Sequence, residues 1–296
     1  MQIIKHNELI PEKKWIQEIS YLKTKKILSD KNEILKKLKK ILIESVKKRI
    51  PEKKFGILFS GGIDSTLIAY ICKKLNKDFT CYSVGLSNSK DVISAEKTAK
   101  KLDFDLKIKK YTISEVEPLL KKTINVLGKN YANVVNVGVG SVILATIKLG
   151  NKDNIDYFFS GLGSEEIFAG YQRHEDAKNI TNECWNGLKN MWKRDFLRDY
   201  RIAKYSKVQV AFPFLDKKLI KYSMQIPEKY KITDNIKKYI LRRAAVNMQI
   251  PEEFALRRKK AAQYGSGFDK AMHKLARKNN FKYKSSYLKH LKKSIE

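Results

Sequence analysis

Cysteine is scarce in this sequence, which holds three cysteines among 296 residues and no C-x-x-C pair. Because Cys72, Cys81 and Cys184 are scattered and odd in number, we expect neither a disulfide scaffold nor a common type of zinc site. This composition fits the reducing cytoplasm. Runs of about 18 consecutive apolar residues are also lacking, so we expect no membrane-spanning helix. No long apolar stretch follows the N-terminus, and we therefore expect no secretory signal.

Acidic residues are half as frequent as basic ones, 31 against 62, which gives a formal net charge of +31. Such an excess predicts a polyanionic partner, such as a nucleic acid, a nucleotide or an acidic protein. The alternative is a lysine-rich proteome, because 52 of the basic residues are lysines and 10 are arginines. No known RNA-binding motif accompanies them, so charge alone leaves both interpretations open.

The chain divides into three predicted parts. Residues 1–54 form a basic helical segment with a net charge of +9, residues 55–175 hold an α/β core, and residues 176–296 complete the domain with a mainly helical part. The last 60 residues, 237–296, carry a net charge of +13. In the N-terminal segment the apolar residues recur at helical spacing, at Ile34, Leu35, Leu38, Ile41, Leu42 and Val46.

Short apolar runs and helical stretches alternate in the central part of the chain. The predicted strands are 55–59, 79–85, 105–111 and 154–159, and the predicted helices between them include 66–75 and 91–102. Alternation of strand and helix is the pattern of a parallel sheet with helices on both faces. We therefore predict an α/β fold, a doubly wound parallel sheet with a mainly helical C-terminal region.

A glycine loop, residues 60–65, lies between the first strand and the first helix and reads S-G-G-I-D-S. Consecutive glycines let backbone N–H groups turn toward an anion, and the helix N-terminus adds a partial positive charge. The loop therefore predicts a phosphate cradle in which Ser60 and Ser65 donate hydroxyl hydrogen bonds and Asp64 holds Mg²⁺. It is neither a Walker loop nor a dinucleotide fingerprint. The alternative is a tight turn with Asp64 as the helix cap.

This loop is similar to the pyrophosphate loop (PP-loop) of the N-type ATP pyrophosphatases, S-G-G-x-D-S, whose fold is adenine nucleotide alpha hydrolase-like. Later segments narrow the resemblance. Residues 160–171, 213–216 and 238–242 match S-G-E-G-[AS]-D-E-x-F-x-G-Y, P-F-L-D and K-x-x-L-R, and residues 257–259 with Gly265 match R-x-K and a later glycine. Over most of its length the chain resembles the synthetase domain of the asparagine synthetase/β-lactam synthetase family.

The resemblance implies an ATP-dependent amide-forming ligase. Such an enzyme adenylates a substrate carboxylate, aspartate by default, with release of pyrophosphate, and then transfers ammonia or another amine. It also implies ATP and Mg²⁺ as cofactors. The implied ATP- and pyrophosphate-binding residues are Ser60, Gly61, Gly62, Asp64, Ser65, Val84, Gly85, Ser160 and Gly161. The implied metal ligands are Asp64 and Glu165, and the implied catalytic cations are Lys238 and Lys259.

Alternatives remain for some of these residues. Val84 and Gly85 also fit an ordinary strand end. With 52 lysines in the chain, either Lys238 or Lys259 is an easy chance match.

Three positions depart from the family pattern. Leu162 stands where the family has a Glu near the reacting amine, Glu165 replaces an Asp, and Ala211 replaces an Arg. Position 2 is Gln2 instead of a nucleophilic cysteine, and 59 residues precede the PP-loop, so we expect no glutaminase domain. Ammonia would then come from solution or from a separate amidase subunit.

The expected partners are therefore a small-molecule carboxylate and an amine, with no membrane. Two alternatives stay open. The charge of +31 favours a PP-loop enzyme that modifies tRNA, and the loss of the family's Glu and Arg favours a nucleotide-binding protein without ligase activity.

Overall fold

The computed structural model describes residues 3–5, 8–257 and 261–295. The strands are β1 (Ile4–Lys5), β2 (Glu8–Leu9), β3 (Phe55–Leu58), β4 (Phe79–Leu86), β5 (Leu106–Tyr111), β6 (Tyr157–Phe159), β7 (Gln209–Ala211), β8 (Ile232–Thr233) and β9 (Ile236–Lys237). The first helices are α1 (Glu12–Tyr21), α2 (Lys31–Lys47), α3 (Ile63–Lys74), α4 (Lys90–Leu102), α5 (Ile113–Leu127) and α6 (Val134–Asn151).

Shorter helices dominate the rest of the chain. They are α7 (Ser164–Ile167), α8 (Gln172–Glu175), α9 (Ile180–Met191), α10 (Leu197–Tyr205), α11 (Lys217–Met224), α12 (Glu228–Lys231), α13 (Tyr239–Val246), α14 (Glu252–Ala255), α15 (Ala262–Gly265), α16 (Phe268–Lys278) and α17 (Lys284–Lys293). A π-helical turn, Trp192–Phe196, joins α9 to α10, and a 3₁₀ turn, Pro213–Leu215, follows β7. The mainly helical C-terminal region is confirmed.

Five parallel strands form the central sheet in the order β5-β4-β3-β6-β7. Ile57 of β3 stands opposite Cys81 of β4 and Phe159 of β6. From β3 the chain first builds outward to β4 and β5, and then returns to add β6 and β7 on the other side. The predicted α/β fold is thus confirmed, and its topological switch point lies between β3 and β6, where open α/β sheets bind ligands.

Side chains of the central strands alternate between two apolar cores. Phe55 and Ile57 of β3 point into the core that also holds α2 and α3, whereas Leu58 borders the other core, with α5 and α6. Phe159 and Phe158 of β6 divide in the same way. Successive side chains of a strand face opposite sides of the sheet, so a strand covered by helices on both sides must be apolar throughout.

Strand β7 is absent from the prediction, which assigned its region to the helical part. It has three residues, Gln209–Ala211, and lies at the edge of the sheet beside β6. A strand of three residues is too short to show a hydrophobic periodicity in the sequence. The strand forms because its backbone pairs with β6.

Helix α6 departs from one expectation. By length and composition alone, Val134–Asn151 is long and apolar enough to cross a membrane, with a mean hydropathy of 1.4. Its apolar residues are interrupted by glycine and serine, which is why no continuous apolar run is visible in the sequence. The helix packs between the sheet and α5, α10 and α16, and 56% of it is buried. A place in the core therefore accounts for its apolar character.

The N-terminal segment contains the predicted amphipathic helix. All six of its predicted apolar positions are buried in α2, and the Asp30 side chain caps the helix by accepting a hydrogen bond from the Glu33 N–H at 2.6 Å. Helix α2 packs against α3, α11 and α13, while α16 and α17 pack against α5 and α6 on the opposite face of the sheet. The division of the chain at residues 54 and 175 stays a prediction.

Candidate active site at the carboxyl ends of the strands

The PP-loop residues form a sharp turn between β3 and α3. Gly61 has φ +62°, and an added Cβ would lie 2.6 Å from the carbonyl carbon and oxygen of Ser94. A side chain at this position is therefore excluded both by the backbone conformation and by the close approach of α4. Gly62 occupies the N-cap position of α3, with no side-chain capping bond, so the alternative of Asp64 as the helix cap is wrong.

The two loop hydroxyls lie side by side at the start of α3. The oxygens Oγ of Ser60 and Ser65 are 3.5 Å apart. Ser60 Oγ accepts a long 3.3 Å hydrogen bond from the Gly62 N–H, and Ser65 Oγ donates one of 3.2 Å to the Gly62 carbonyl. Backbone N–H groups at a helix N-terminus, together with two hydroxyls, are a donor set that fits a phosphate group.

A second turn follows β6 and closes onto the first. A Cβ added at Gly161 would lie 2.8 Å from the Cβ of Asp64, so only glycine lets the two turns approach this closely. Ser160 Oγ accepts a hydrogen bond of 3.3 Å from the Leu162 N–H. Because β3 and β6 are neighbours, the predicted residues Ser160 and Gly161 reach the PP-loop at the switch point of the sheet.

Lys238 is the central cation of the site. Its ammonium lies 2.8 and 3.0 Å from the two carboxylate oxygens of Asp64, 2.6 Å from Glu165 Oε1 and 3.1 Å from Ser164 Oγ. The side chain is 5% exposed. Burial acts to lower the pKa of Lys238, but the two carboxylates outweigh it, so that this pKa is raised and the ammonium stays charged.

The backbone around Lys238 is adapted to this position. Lys238 has φ +57° and precedes α13, which directs its side chain back toward the sheet. A Cβ added at Gly170 would lie 1.6 Å from Glu165 Oε2 and 2.4 Å from Lys238 Cε. Gly170 was not singled out from the sequence, although it stands in the matched segment 160–171. The Lys238–Glu165 ion pair occupies the space that a side chain at position 170 would need.

The predicted metal ligands Asp64 and Glu165 are brought together, since Lys238 contacts both. Within the described part of the chain, no group of three or more His, Cys, Asp or Glu side chains is arranged to hold a metal ion. Two carboxylates suit Mg²⁺, which in nucleotide sites takes one or two carboxylates and completes its coordination with phosphate oxygens and water. The donor set therefore fits a magnesium ion that arrives with a nucleotide.

A cavity of about 210 Å³ opens between the two turns and α6. Seven of the predicted residues line it, namely Ser60, Asp64, Ser65, Val84, Ser160, Gly161 and Glu165. Apolar side chains from α6, among them Val139, Val142 and Ile143, form the wall next to Val84. This cavity combines an apolar wall with a polar loop, as small-molecule sites usually do.

Gly85 follows Val84 in β4, and its predicted contact with the nucleotide stays a prediction. It is outside the cavity lining, and its added Cβ would lie 2.8 Å from the carbonyl oxygen of Ser266. The next residue, Leu86, donates its N–H to that carbonyl at 2.9 Å. Gly85 thus permits the C-terminal segment to pack on the end of β4. The predicted catalytic residue Lys259 lies outside the described residues.

Three charged residues that the prediction omitted also belong to the site. Arg198 and Asp199 of α10 line the cavity as a buried pair, with Arg198 Nε 2.7 Å from Asp199 Oδ1. Arg257 Nη2 donates to the Gly61 carbonyl at 2.9 Å. Burial raises the pKa of Asp199, and Arg198 opposes this shift. The sequence offered no motif for Arg198 or Asp199, because their region has an irregular helical period interrupted by the π-helical turn.

Comparison with known proteins identifies the family of this chain. The family described as asparagine synthase matches residues 37–186 and 175–292. The chain belongs to the asparagine synthase family. A protein of Methanocaldococcus jannaschii, named as glutamine-hydrolysing asparagine synthetase 1, is 30% identical over 96% of this chain and 58% of its own length. The asparagine synthetase of Gallus gallus is 27% identical over 76% of this chain and 42% of its own length.

The chain therefore spans about half the length of the curated asparagine synthase relatives that it matches. Among solved structures, an NMN synthetase of Francisella tularensis is similar over 88% of this chain and 92% of its own, with a TM-score of 0.43 and 12% identity. The family resemblance drawn from the sequence motifs is confirmed by the asparagine synthase match.

Proposed function

We propose that this chain is the synthetase unit of an ATP-dependent amide-forming ligase. It would adenylate a substrate carboxylate with release of pyrophosphate, and then pass the acyl group to ammonia or another amine. The observation that carries the proposal is the convergence of the PP-loop, Asp64 and Glu165 on one cavity at the sheet switch point, with Lys238 in contact with both carboxylates. Membership of the asparagine synthase family supports the same reaction class.

The PP-loop would bind the leaving pyrophosphate. Ser60 and Ser65 would donate hydroxyl hydrogen bonds, and the N–H groups at the start of α3 would complete the cradle. Negative charge develops on phosphate oxygens as the α-phosphorus is attacked, so fixed N–H groups and cations contribute most where they are already oriented. The long 3.2–3.5 Å bonds among these hydroxyls leave them available to a stronger acceptor.

Asp64 and Glu165 would hold Mg²⁺ together with the phosphates, and the ion would neutralise the charge of the leaving group. Lys238 would contribute a second positive charge at the same place. Glu165 is one methylene longer than the family's Asp, and the room left at Gly170 accommodates that extra length. Lys259 remains a proposed catalytic cation on the basis of its motif alone.

The acceptor end of the cavity differs from the family pattern. Leu162 lines the cavity and packs against the apolar core, so no carboxylate stands there to contact an incoming amine. Arg198 and Asp199 are the charged groups on the α10 side of the cavity. On the basis of the asparagine synthase family we propose a carboxylate substrate for the site, with aspartate as the first acid to test. Ammonia or an amidase subunit would supply the nitrogen.

The net charge of +31 supports a second candidate, modification of tRNA by the same ATP chemistry. The basic C-terminal region is divided between the two faces of the sheet, however, because α13 packs against α2 whereas α16 and α17 lie on the opposite face. This distribution favours a small acceptor over an RNA stem lying along one continuous surface.

The decisive experiment measures pyrophosphate release from Mg·ATP by the purified chain with candidate acceptors. Release that depends on a free amino acid or another small carboxylic acid supports the ligase. Release that depends on tRNA supports the second candidate. ATP binding by calorimetry without pyrophosphate release under any condition contradicts both and leaves a nucleotide-binding protein.

Matched variants tie the activity to the site. Asp64→Asn keeps the size of the side chain and removes its charge, and we expect a loss of roughly 100-fold or more in pyrophosphate release. The control is Asp78→Asn, an equivalent change at a surface carboxylate that is 72% exposed and pairs with Lys54. Equal activity of the Asp64 variant and the control would contradict the proposed metal role.

A further inference from the structure

A second cleft lies at the far ends of two helices that begin at the candidate active site. Helix α3 has Asp64 in its first turn and ends at Lys74, and α13 begins just after Lys238. The cleft opens where the last turn of α3 and the residues that follow α13 meet α2. Because α3 has 12 residues, its two ends are about 18 Å apart. No described residue lines both this cleft and the active-site cavity, so the two are separate sites.

The cleft has the size and the apolar floor of a small-molecule site. Its volume is about 410 Å³, within the range of about 300–1,000 Å³ that is usual for such sites. Its apolar lining residues are Ile43, Tyr70, Ile71, Leu75 and Met248. Of these, Tyr70, Ile71 and Met248 are buried in the core, and the other two are half-buried. An apolar group placed on this floor would be removed from water, which favours its binding.

The exposed rim of the cleft is basic. It consists of Lys39, Lys74, Asn247 and Gln249, whose residues are all exposed. In the part of the chain that the structure describes, no Asp or Glu lines the cleft, and neither of its lysines is in an ion pair. The Lys74 ammonium lies 5.4 Å from the centre of the Tyr70 ring, so it stands over the apolar floor. Two positive charges without a counter-charge therefore adjoin the apolar surface.

We propose that this cleft binds a small organic anion, which combines an aromatic or branched aliphatic body with a carboxylate, sulfonate or phosphate group. The body covers the apolar floor, and the anionic group faces Lys39 and Lys74. The side-chain amides of Asn247 and Gln249 can donate hydrogen bonds to its oxygens. A cation would be repelled by both lysines, and a neutral molecule would leave them without a counter-charge, so the rim selects an anion.

Anilinonaphthalene sulfonate (ANS) is a suitable probe, because it joins a fused aromatic body to one sulfonate and fluoresces on apolar surfaces. Its affinity for the complete chain is compared with that of phenylnaphthylamine, which has the same ring system without the sulfonate. We expect ANS to bind about 10-fold more tightly, since two lysines face its charge. If phenylnaphthylamine binds as tightly as ANS, the rim does not select an anion and the proposal is wrong.

Substitution of the two lysines separates the cleft from the generally basic surface. Lys39→Met with Lys74→Met removes both charges of the rim. The matched control is Lys40→Met with Lys77→Met, which removes two exposed lysines that lie outside the cleft lining and leaves the same net charge. Because all four lysines are exposed, we expect both double variants to fold.

The cleft variant should bind ANS about 10-fold more weakly than the unchanged chain, whereas the control should bind it nearly as well as the unchanged chain does. Phenylnaphthylamine should not distinguish the two variants. Equal affinities of the two variants for ANS would overturn the proposal, because the dye would then respond to the overall charge of the chain and not to the cleft.

A crystal of the complete chain soaked in ANS shows where the dye lies. We expect its rings against Tyr70 and Met248 and its sulfonate near Lys39 or Lys74. Dye found in the active-site cavity, or elsewhere on the surface, with an empty cleft would overturn the proposal. Neither the titration nor the crystal depends on ATP chemistry, so this proposal can fail or succeed independently of the proposed ligase function.

Discussion

Replacement of Lys238 by methionine tests the electrostatic arrangement of the site most sharply. Methionine keeps much of the length and apolar volume of the side chain but removes the ammonium that contacts Asp64 and Glu165 at 2.8 and 2.6 Å. Two carboxylates would then face each other without a cation. Removal of one partner from a buried ion pair costs about 3–5 kcal/mol in the free energy of unfolding.

The expected loss lies at the lower end of that range. The Asp64 side chain is 13% exposed and the Glu165 side chain is 32% exposed, so water relieves part of their repulsion. We expect Lys238→Met to lower the free energy of unfolding by about 3 kcal/mol, measured by urea denaturation without divalent ions. Added Mg²⁺ should restore part of this loss, because an ion that binds the two carboxylates only in the folded state stabilises it.

The control is the neighbouring Lys237→Met. Lys237 pairs with Glu175 at 2.6 Å, but both side chains are about a quarter exposed. A pair of that kind contributes at most about 1 kcal/mol. If Lys238→Met lowers the free energy of unfolding no more than Lys237→Met does, the reasoning that the site depends on a buried ammonium is refuted. Pyrophosphate release should separate the two variants as well, with a loss of about 100-fold or more for Lys238→Met only.

Three further predictions follow from the same geometry. Gly61→Ala should lower the free energy of unfolding by about 2 kcal/mol or more in urea denaturation. Its control is Gly267→Ala, which also has a left-handed backbone but whose added Cβ would meet only the flexible Leu86 side chain, at 3.1 Å, so equal losses would contradict a role for the Ser94 backbone contact. Leu162→Glu restores the family's carboxylate and should raise aspartate-dependent pyrophosphate release. An unchanged rate of release would contradict the proposal that residue 162 lies at the acceptor end of the cavity. Because the folded pKa of His174 is lowered to about 3 from 6.5, the unfolded chain binds its proton first, and stability should fall as the pH drops from 6.5 toward 3. A His174→Asn variant should lose this slope, at most about 1.4 kcal/mol per pH unit, in urea denaturation at several pH values, and an unaltered slope would contradict a neutral buried ring. The charges that favour the neutral ring, after burial, are those of Arg173, Lys231, Arg194 and Lys238.

Local features were predictable from the sequence because their causes are local. Short apolar runs alternating with stretches of helical spacing predicted β3, β4, β5 and β6 and the crossover helices α3 and α4. The apolar period of α2 predicted all six of its buried positions. The S-G-G-I-D-S loop predicted its own strand-to-helix turn, since positive φ at Gly61 requires a residue without Cβ.

The long-range parts of the site were decided by tertiary structure. Lys238 is 174 residues from Asp64 in sequence, and a motif match alone did not show that its ammonium joins Asp64 to Glu165. That contact depends on the order of β3 and β6 in the sheet and on the left-handed backbone of Lys238. Likewise, Arg198 and Asp199 reach the cavity because α10 packs against α6, and no pattern in their own segment records that packing.

Glycines illustrate the same division. The positive φ of Gly61 follows from its own loop, whereas a side chain at Gly85 or Gly170 would also meet an atom from a distant segment, the Ser266 carbonyl oxygen for the first and Lys238 Cε for the second. Sequence patterns report the preferences of a residue and its near neighbours. A glycine in the sequence does not indicate which distant residue packs beside it in the fold. By itself, therefore, the sequence determined the order of β3 to β6 with α3 and α4, the PP-loop and the family. The tertiary structure decided which charged groups come into contact. It places β3 beside β6 and brings Lys238, at the start of α13, to Asp64 and Glu165.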